Sequence, residues 1–188
     1  MTFSELVLTR RSIRKYRPDP ISEETVRQWL SWGHAAPSGG NLCPWEFIIL
    51  RREAGKRAAV DATFCGNQEN GAAHQEWLMT APVLLAVCAD EARIQARYGE
   101  TSIWKSLAYL DCSACIENLL LGAVELGLGS CYVSGFRETP MRQALRLPAH
   151  VRPIALLPLG VPDMTGHARP RPALEDHMYA EAYGCALI

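Results

Sequence analysis

The sequence has no Gly-x-x-x-x-Gly-Lys-Ser/Thr phosphate loop and no Gly-x-Gly-x-x-Gly run after a strand-like segment. These absences argue against a nucleotide-driven motor and against a Rossmann dehydrogenase. Gly127-Leu-Gly129 is a fragment of the second motif, but it follows a helical pattern and lacks the third glycine. The histidines (His34, His74, His150, His167, His177) never fall into His-Glu-x-x-His, and there is no Gly-x-Ser-x-Gly nucleophile elbow. Metal and serine hydrolysis are therefore poor readings. There is no Asn-x-Ser/Thr acceptor, no continuous apolar segment at the N-terminus, and the longest apolar run, near Ala81–Ala89, is far short of a membrane span. With seven cysteines, an odd number, the economical expectation is a cytoplasmic protein with free thiols. Lysine is also scarce, at three of 19 basic residues (Lys15, Lys56, Lys105).

What is present fits one globular domain spanning 1–188. The chain is 48% hydrophobic and 21% charged, inside the ordinary range. A formal net charge of −1 gives no bulk attraction to nucleic acid or to anionic lipid, so neither is an expected partner. Arginine supplies 16 of the basic residues, and Arg10, Arg11, Arg14 and Arg17 fall close together. Arginine presents a planar fork of donors suited to phosphate and carboxylate.

The patterning predicts a short helix from Ser4 to about Thr9 and a second one capped by Ser22, with Glu23 and Glu24 in its first turn. Trp45–Leu50 and Val83–Ala89 read as buried strands, with a polar, Ala-rich helical region from Glu53 to Met79 between them. Ser106–Leu126 predicts a long helix, apolar on most of its surface and ended by Gly127. Ser130–Ser134 reads as a strand, Thr139-Pro140 as a helix start with Pro in its first position, Ile154–Gly160 as a last strand, and Ala173–Tyr183 as a terminal helix. Helices and strands mix without strict alternation, which favours α+β.

Cys112-Ser-Ala-Cys115 has the spacing of a redox pair, but it lies inside the apolar helix, where cysteine packs as a small hydrophobe. Four other segments carry chemistry. Arg10-Arg11-Ser12-Ile13-Arg14 can bind a phosphomonoester; Arg10 and Arg14 share a face if helical geometry continues through them. Pro37-Ser-Gly-Gly-Asn41 lets backbone N–H groups approach a ligand, with Ser38 and Asn41 adding side-chain partners. Leu126-Gly-Leu-Gly-Ser130 leads into Tyr132-Val-Ser-Gly-Phe136, whose backbone can face a flat ring, and Arg169-Pro-Arg171 ends the series.

In this order and together, these segments resemble the FMN-dependent nitroreductase family, and the match runs over nearly the whole chain. The resemblance implies an α+β fold, with a central mixed or antiparallel sheet among helices, and an intertwined homodimer with FMN sites at the subunit interface. Arg10, Arg11 and Ser12 would hold the FMN phosphate and ribityl chain, joined by Arg169 and Arg171. Arg14 would approach the N1/O2 edge of the flavin. Pro37, Ser38, Gly39 and Asn41 would come from the partner's loop. Tyr132, Val133, Ser134 and Gly135 would lie against the isoalloxazine, with a backbone N–H near Ser134 directed at N5. Gln75 would read the pyrimidine edge, with His74 as the rival. No metal is implied. The implied activity is ping-pong hydride transfer from NAD(P)H through FMN to a nitroaromatic, quinone or similar small-molecule acceptor.

Where some members carry Pro and Glu on the flavin-facing strand, this chain has Tyr132 and Ser134, and Cys43 replaces a frequent Gln. Two alternatives stay open. One is a specialised member (a dehydrogenase, dehalogenase or flavin-fragmenting enzyme), for which Tyr98, Ile103 and Trp104 could cover one side of a modest pocket. The other is a flavin-binding protein without efficient turnover.

Overall fold

A computed structural model describes the backbone of residues 1–66, 69–99 and 102–185, and the side chains of 1–66, 69–99 and 106–185. The helices are α1 (Phe3–Thr9), α2 (Glu23–His34), α3 (Glu53–Asp61), α4 (Glu91–Tyr98), α5 (Ser102–Glu125) and α6 (Glu138–Leu145). The strands are β1 (Trp45–Leu50), β2 (Val83–Asp90) and β3 (Val151–Leu159). They form an antiparallel sheet in the order β1-β2-β3.

The central strand explains the two cores. β2 is Val-Leu-Leu-Ala-Val-Cys-Ala-Asp, buried along all but its last residue. Alternation sends Val83, Leu85, Val87 and Ala89 to one face and Leu84, Ala86 and Cys88 to the other. The first set packs with α2 and α5, the second with α3, α6 and the segment around Cys131 and Val133. β1 and β3 are edge strands; β1 is only partly buried, and β3 tolerates Pro153 and Pro158 because an edge need not donate on both sides.

α5 is apolar with no polar face, so burial rather than intrinsic propensity holds it, and Gly127 ends it in the left-handed region (φ 69°). Ser106–Glu125 has the length and composition to cross a membrane, although the longest uninterrupted apolar run lies elsewhere. Here it is a core helix. Gly33 of α2 approaches so closely that a Cβ there would sit 2.7 Å from Leu119, and one on Gly122 would sit 2.7 Å from Trp32. Between them the fully buried Trp29 donates its indole N–H to Leu119 O (2.6 Å).

Several expectations are corrected. The helical region after β1 stops at Asp61. Among the described residues that follow, 62–66 and 69–75 are non-helical and Glu76–Thr80 is a 3-10 turn, because these mostly polar residues supply no apolar stripe. Ser130–Ser134 forms no ladder; it makes single bridges, Ser12 to Ser130 and Val133 to Leu156. α6 begins at Glu138, so Pro140 is its third residue, still within the turn whose N–H groups lack helical acceptors. Ala173–Tyr183 holds only a 3-10 turn at Leu174–His177.

The cysteines are all free, and Cys112 and Cys115 are buried inside α5. Burial pushes the Cys88 and Cys115 thiols up to about 12, and it raises Cys112 and Cys131 as well. Thiolate is the reactive species, so these four stay inert near neutral pH. Titration of the folded protein with an aromatic disulfide at pH 8 should therefore modify Cys185 and the half-buried Cys43 and Cys65. Cys88, Cys112, Cys115 and Cys131 should react only in denaturant. Rapid labelling of Cys112 or Cys115 in the native state would show the pair to be redox-accessible after all.

Candidate cofactor-binding site

α1 ends at Thr9, and Arg10 leaves the helix with φ −52° and ψ 128°. The following segment is held from both sides. Ser12 bridges Ser130, and Ile13 N–H donates to Ser130 O (3.0 Å). Further on, Tyr16 bridges Pro162, and Arg17 N–H donates to Val161 O (2.9 Å). Arg10 and Arg14 therefore do not share a helical face. They converge because Arg10, Ser12 and Arg14 alternate along a non-helical chain whose Ile13 is buried.

The chain's tail closes the cleft. Lys15 O accepts from Asp163 N–H (3.0 Å), and Lys15 Nζ pairs with the Asp163 carboxylate at 2.7 Å. Gly166 then passes so close to Arg11 that a Cβ would lie 2.3 Å from the Arg11 Cβ. No other residue fits there without moving backbone. The result is a cleft of about 480 Å³ lined by Arg10, Arg11, Ser12, Arg14, Arg169 and Arg171, with Met164 and His167.

Charge in this cleft is unbalanced. Glu117, half-exposed on α5, reaches only 4.0 Å from Arg10. Among the described residues, Arg11, Arg14, Arg169 and Arg171 have no carboxylate within 4 Å. Arg11 uses one nitrogen on the carbonyls of Leu8 (2.6 Å) and Arg10 (2.8 Å), which satisfies the open end of α1. The remaining donors of the five guanidiniums line a cleft with almost no counter-charge: among the described residues, Glu117 is the one carboxylate that reaches any of them. That donor set suits a phosphate.

Beyond Ser130 the chain alternates. Cys131 and Val133 are buried, while Tyr132 and Ser134 are exposed. Val133 exchanges both backbone bonds with Leu156, so the N–H groups of Tyr132 and Ser134 point to the opposite edge. Burial raises the Cys131 thiol against the nearby Arg14 and Arg10 charges and the Ser12 hydroxyl. The arginine segment and this extended segment are therefore direct neighbours.

Two predicted groups lie elsewhere in the chain. Gln75 Nε2 donates to Phe64 O (3.1 Å) and to Gly135 O (3.2 Å), so its amide sits at the glycine end of the 130–135 segment. His74 is turned to Thr63 O (3.0 Å) instead. Pro37, Ser38, Gly39 and Asn41 do not line the arginine cleft. Their loop docks on the first half of α5, where the Asp111 carboxylate accepts the Gly39 N–H. Arg10 meets the second half, six residues or about 9 Å further along. The Tyr98 ring lies at this loop, where a Cβ on Gly40 would touch its hydroxyl; the Ile103 and Trp104 side chains lie outside the described residues. The sequence reading missed Met164 and His167, which follow from the close approach at Gly166.

Comparison with known proteins gives the family and the fold. The Nitroreductase family model matches residues 7–161. An NADH dehydrogenase of Thermus thermophilus is 34% identical over 194 residues, covering 89% of this chain and 90% of its own. A 5,6-dimethylbenzimidazole synthase of Rhodospirillum rubrum is 36% identical over 168 residues, covering 81% and 78%. The fold matches that of a nitroreductase from Exiguobacterium sibiricum crystallised with FMN, at a TM-score of 0.85 and 21% identity, covering 96% of this chain and 98% of that one. The chain belongs to the nitroreductase family.

Proposed function

We propose that the chain, as one domain over 1–188, is an FMN-dependent NAD(P)H oxidoreductase that reduces nitroaromatic, quinone or related acceptors and works as a cytoplasmic homodimer. The observation that carries this reading is the cleft in which five arginines meet with almost no carboxylate, on the nitroreductase fold. Arg10, Arg11, Ser12, Arg169 and Arg171 would hold the cofactor's phosphate and ribityl chain. Arg14 supplies a positive charge next to the 130–135 segment. Ser134 offers a backbone N–H on the edge that β3 leaves free, and Tyr132 and Ser134 present side chains on that side. Gln75 holds Gly135 from behind.

FMN, held there by these residues, would supply the redox chemistry, hydride acceptance from NAD(P)H and delivery of electrons to the acceptor. The protein orients it, screens its phosphate charge and favours negative charge near Arg14.

The homodimer rests on two observations. None of the residues of α1 is buried, although the helix carries Phe3, Val7 and Leu8, and Leu110 of α5 is 66% exposed. An apolar surface of that kind marks an interface. The 37–41 loop also stands apart from its own chain's arginine cleft, so it is free to serve the site of a partner.

A specialised family member is the second reading, favoured by the identity to a relative named as a synthase rather than a reductase. Steady-state NAD(P)H oxidation by the purified holoprotein separates the two. Acceptor-stimulated turnover with the flavin intact is expected. Destruction of the flavin in air without acceptor reduction would establish the second reading, and a stable flavin without turnover would leave a binding protein. Arg10→Ala should weaken FMN binding about tenfold, the scale of one charge-assisted contact, while the dimer persists; unchanged retention on gel filtration would refute the phosphate assignment. Arg14→Ala should lower the flavin midpoint potential by tens of millivolts, on the order expected for one partly screened charge, in a spectroscopic redox titration. An unchanged potential would remove Arg14 from the flavin edge.

A further inference from the structure

Asp111 is a buried carboxylate, 6% exposed, on α5. Both of its oxygens lie 3.1 Å from Gly39 N, and no Lys, Arg or His among the described residues lies within 4 Å of it. Burial raises its pKa, and the Gly39 N–H pulls it part of the way back. An unpaired carboxylate inside a protein is costly, and a neutral acceptor or an apolar side chain would serve packing better. Fold stability alone does not account for it.

What it holds is an unusual loop. A Cβ at Gly39 would lie 2.8 Å from Leu107 Cδ2, so the loop backbone rests directly on α5. Gly40, Asn41 and Cys43 then take φ values of 59°, 56° and 45°. Positive φ is uncommon for Asn and rarer for other residues with a Cβ, so this path is not the chain's own preference. Ser38 Oγ accepts from Cys43 N–H (2.9 Å) and closes the loop on itself, and Arg93 holds the Cys43 carbonyl (2.8 Å) at its far end. At the glycine end the anchor to the rest of the protein is Asp111.

We propose that Asp111 is a positioning residue that fixes the Gly39 turn so that the 37–41 loop is presented, in its bound shape, to the FMN site of a second subunit. The inference rests on the oxidoreductase reading above and deepens it by coupling the interface helix of one subunit to cofactor retention in the other. It also accounts for the charge: a carboxylate grips an N–H more strongly than a neutral acceptor does.

The test uses full-length protein and FMN itself, with affinity read from flavin fluorescence on titration of the apoprotein. Asp111→Ala should form a folded dimer whose FMN dissociation constant is raised about tenfold. Asp111→Asn keeps one acceptor oxygen for Gly39 and should stay within about threefold of wild type. The decisive measurement is a mixed dimer, purified through two different tags, with Asp111→Ala in one subunit and Arg10→Ala in the other. If Asp111 acts across the interface, one site contains both defects and the other contains neither. The mixed dimer should then bind one FMN with wild-type affinity, although both parent homodimers bind weakly.

A mixed dimer with no tight site would overturn the proposal, because the defect would then act within its own subunit. So would wild-type affinity in Asp111→Ala, or a variant that fails to fold, which would make the residue structural. A wild-type chain that takes up no FMN, or takes it up as a monomer, overturns the oxidoreductase or homodimer reading, and this inference with it. A wild-type dimer that binds FMN while the mixed dimer fails overturns the inference alone.

Discussion

α5 is apolar nearly all the way round, and that single constraint organises the rest of the molecule. A helix without a polar face cannot lie on a surface, so the chain must surround it. α2 does so through Gly33 and Gly122, the close approach that lets Trp29 reach Leu119 O. β2 covers another side with its odd-numbered residues. Two of the helix's three carboxylates, Asp111 and Glu117, then become natural anchors. The 37–41 loop takes the first, and the arginine segment lies beside the second.

How much could be read from the sequence depended on whether the physics was local. The Ser22 cap, the apolar runs of β1 and β2, and the Gly127 stop are local signals, and each element appears where its residues place it. β3 begins three residues earlier than its apolar run, because the antiparallel partner β2 extends the ladder through Val151 and Pro153. The helix expected beyond Asp61 fails for the opposite reason: an Ala-rich, polar stretch has helix formers but nothing to bury. Around 130–134 the apolar pattern was read correctly as extended. Its two neighbours touch it at different residues, so it makes bridges rather than a strand.

The site shows the same division. That arginines 10, 11 and 14 come together was legible from their clustering. The mechanism of their convergence was not, since it needs the chain to leave the helix at Arg10 and alternate past Ile13. Gln75 rather than His74 faces Gly135, a distinction that no residue pattern at the sequence level could draw. The partner of Asp111 was not legible, because it is a backbone N–H far away in the chain, which leaves no side-chain signature.

The close approach of Gly166 to Arg11 has a consequence for how the protein matures. The cleft is assembled from the two ends of the chain, about 155 residues apart, while both hydrophobic cores need nothing beyond Val161. Contacts of such long sequence separation form late, because loop-closure entropy must be overcome first. A nascent chain that has emerged only as far as Val161 already holds every core residue, the whole sheet and α5. It has no tail to set against Arg11. The cleft is therefore completed after both cores, when the tail reaches Arg11.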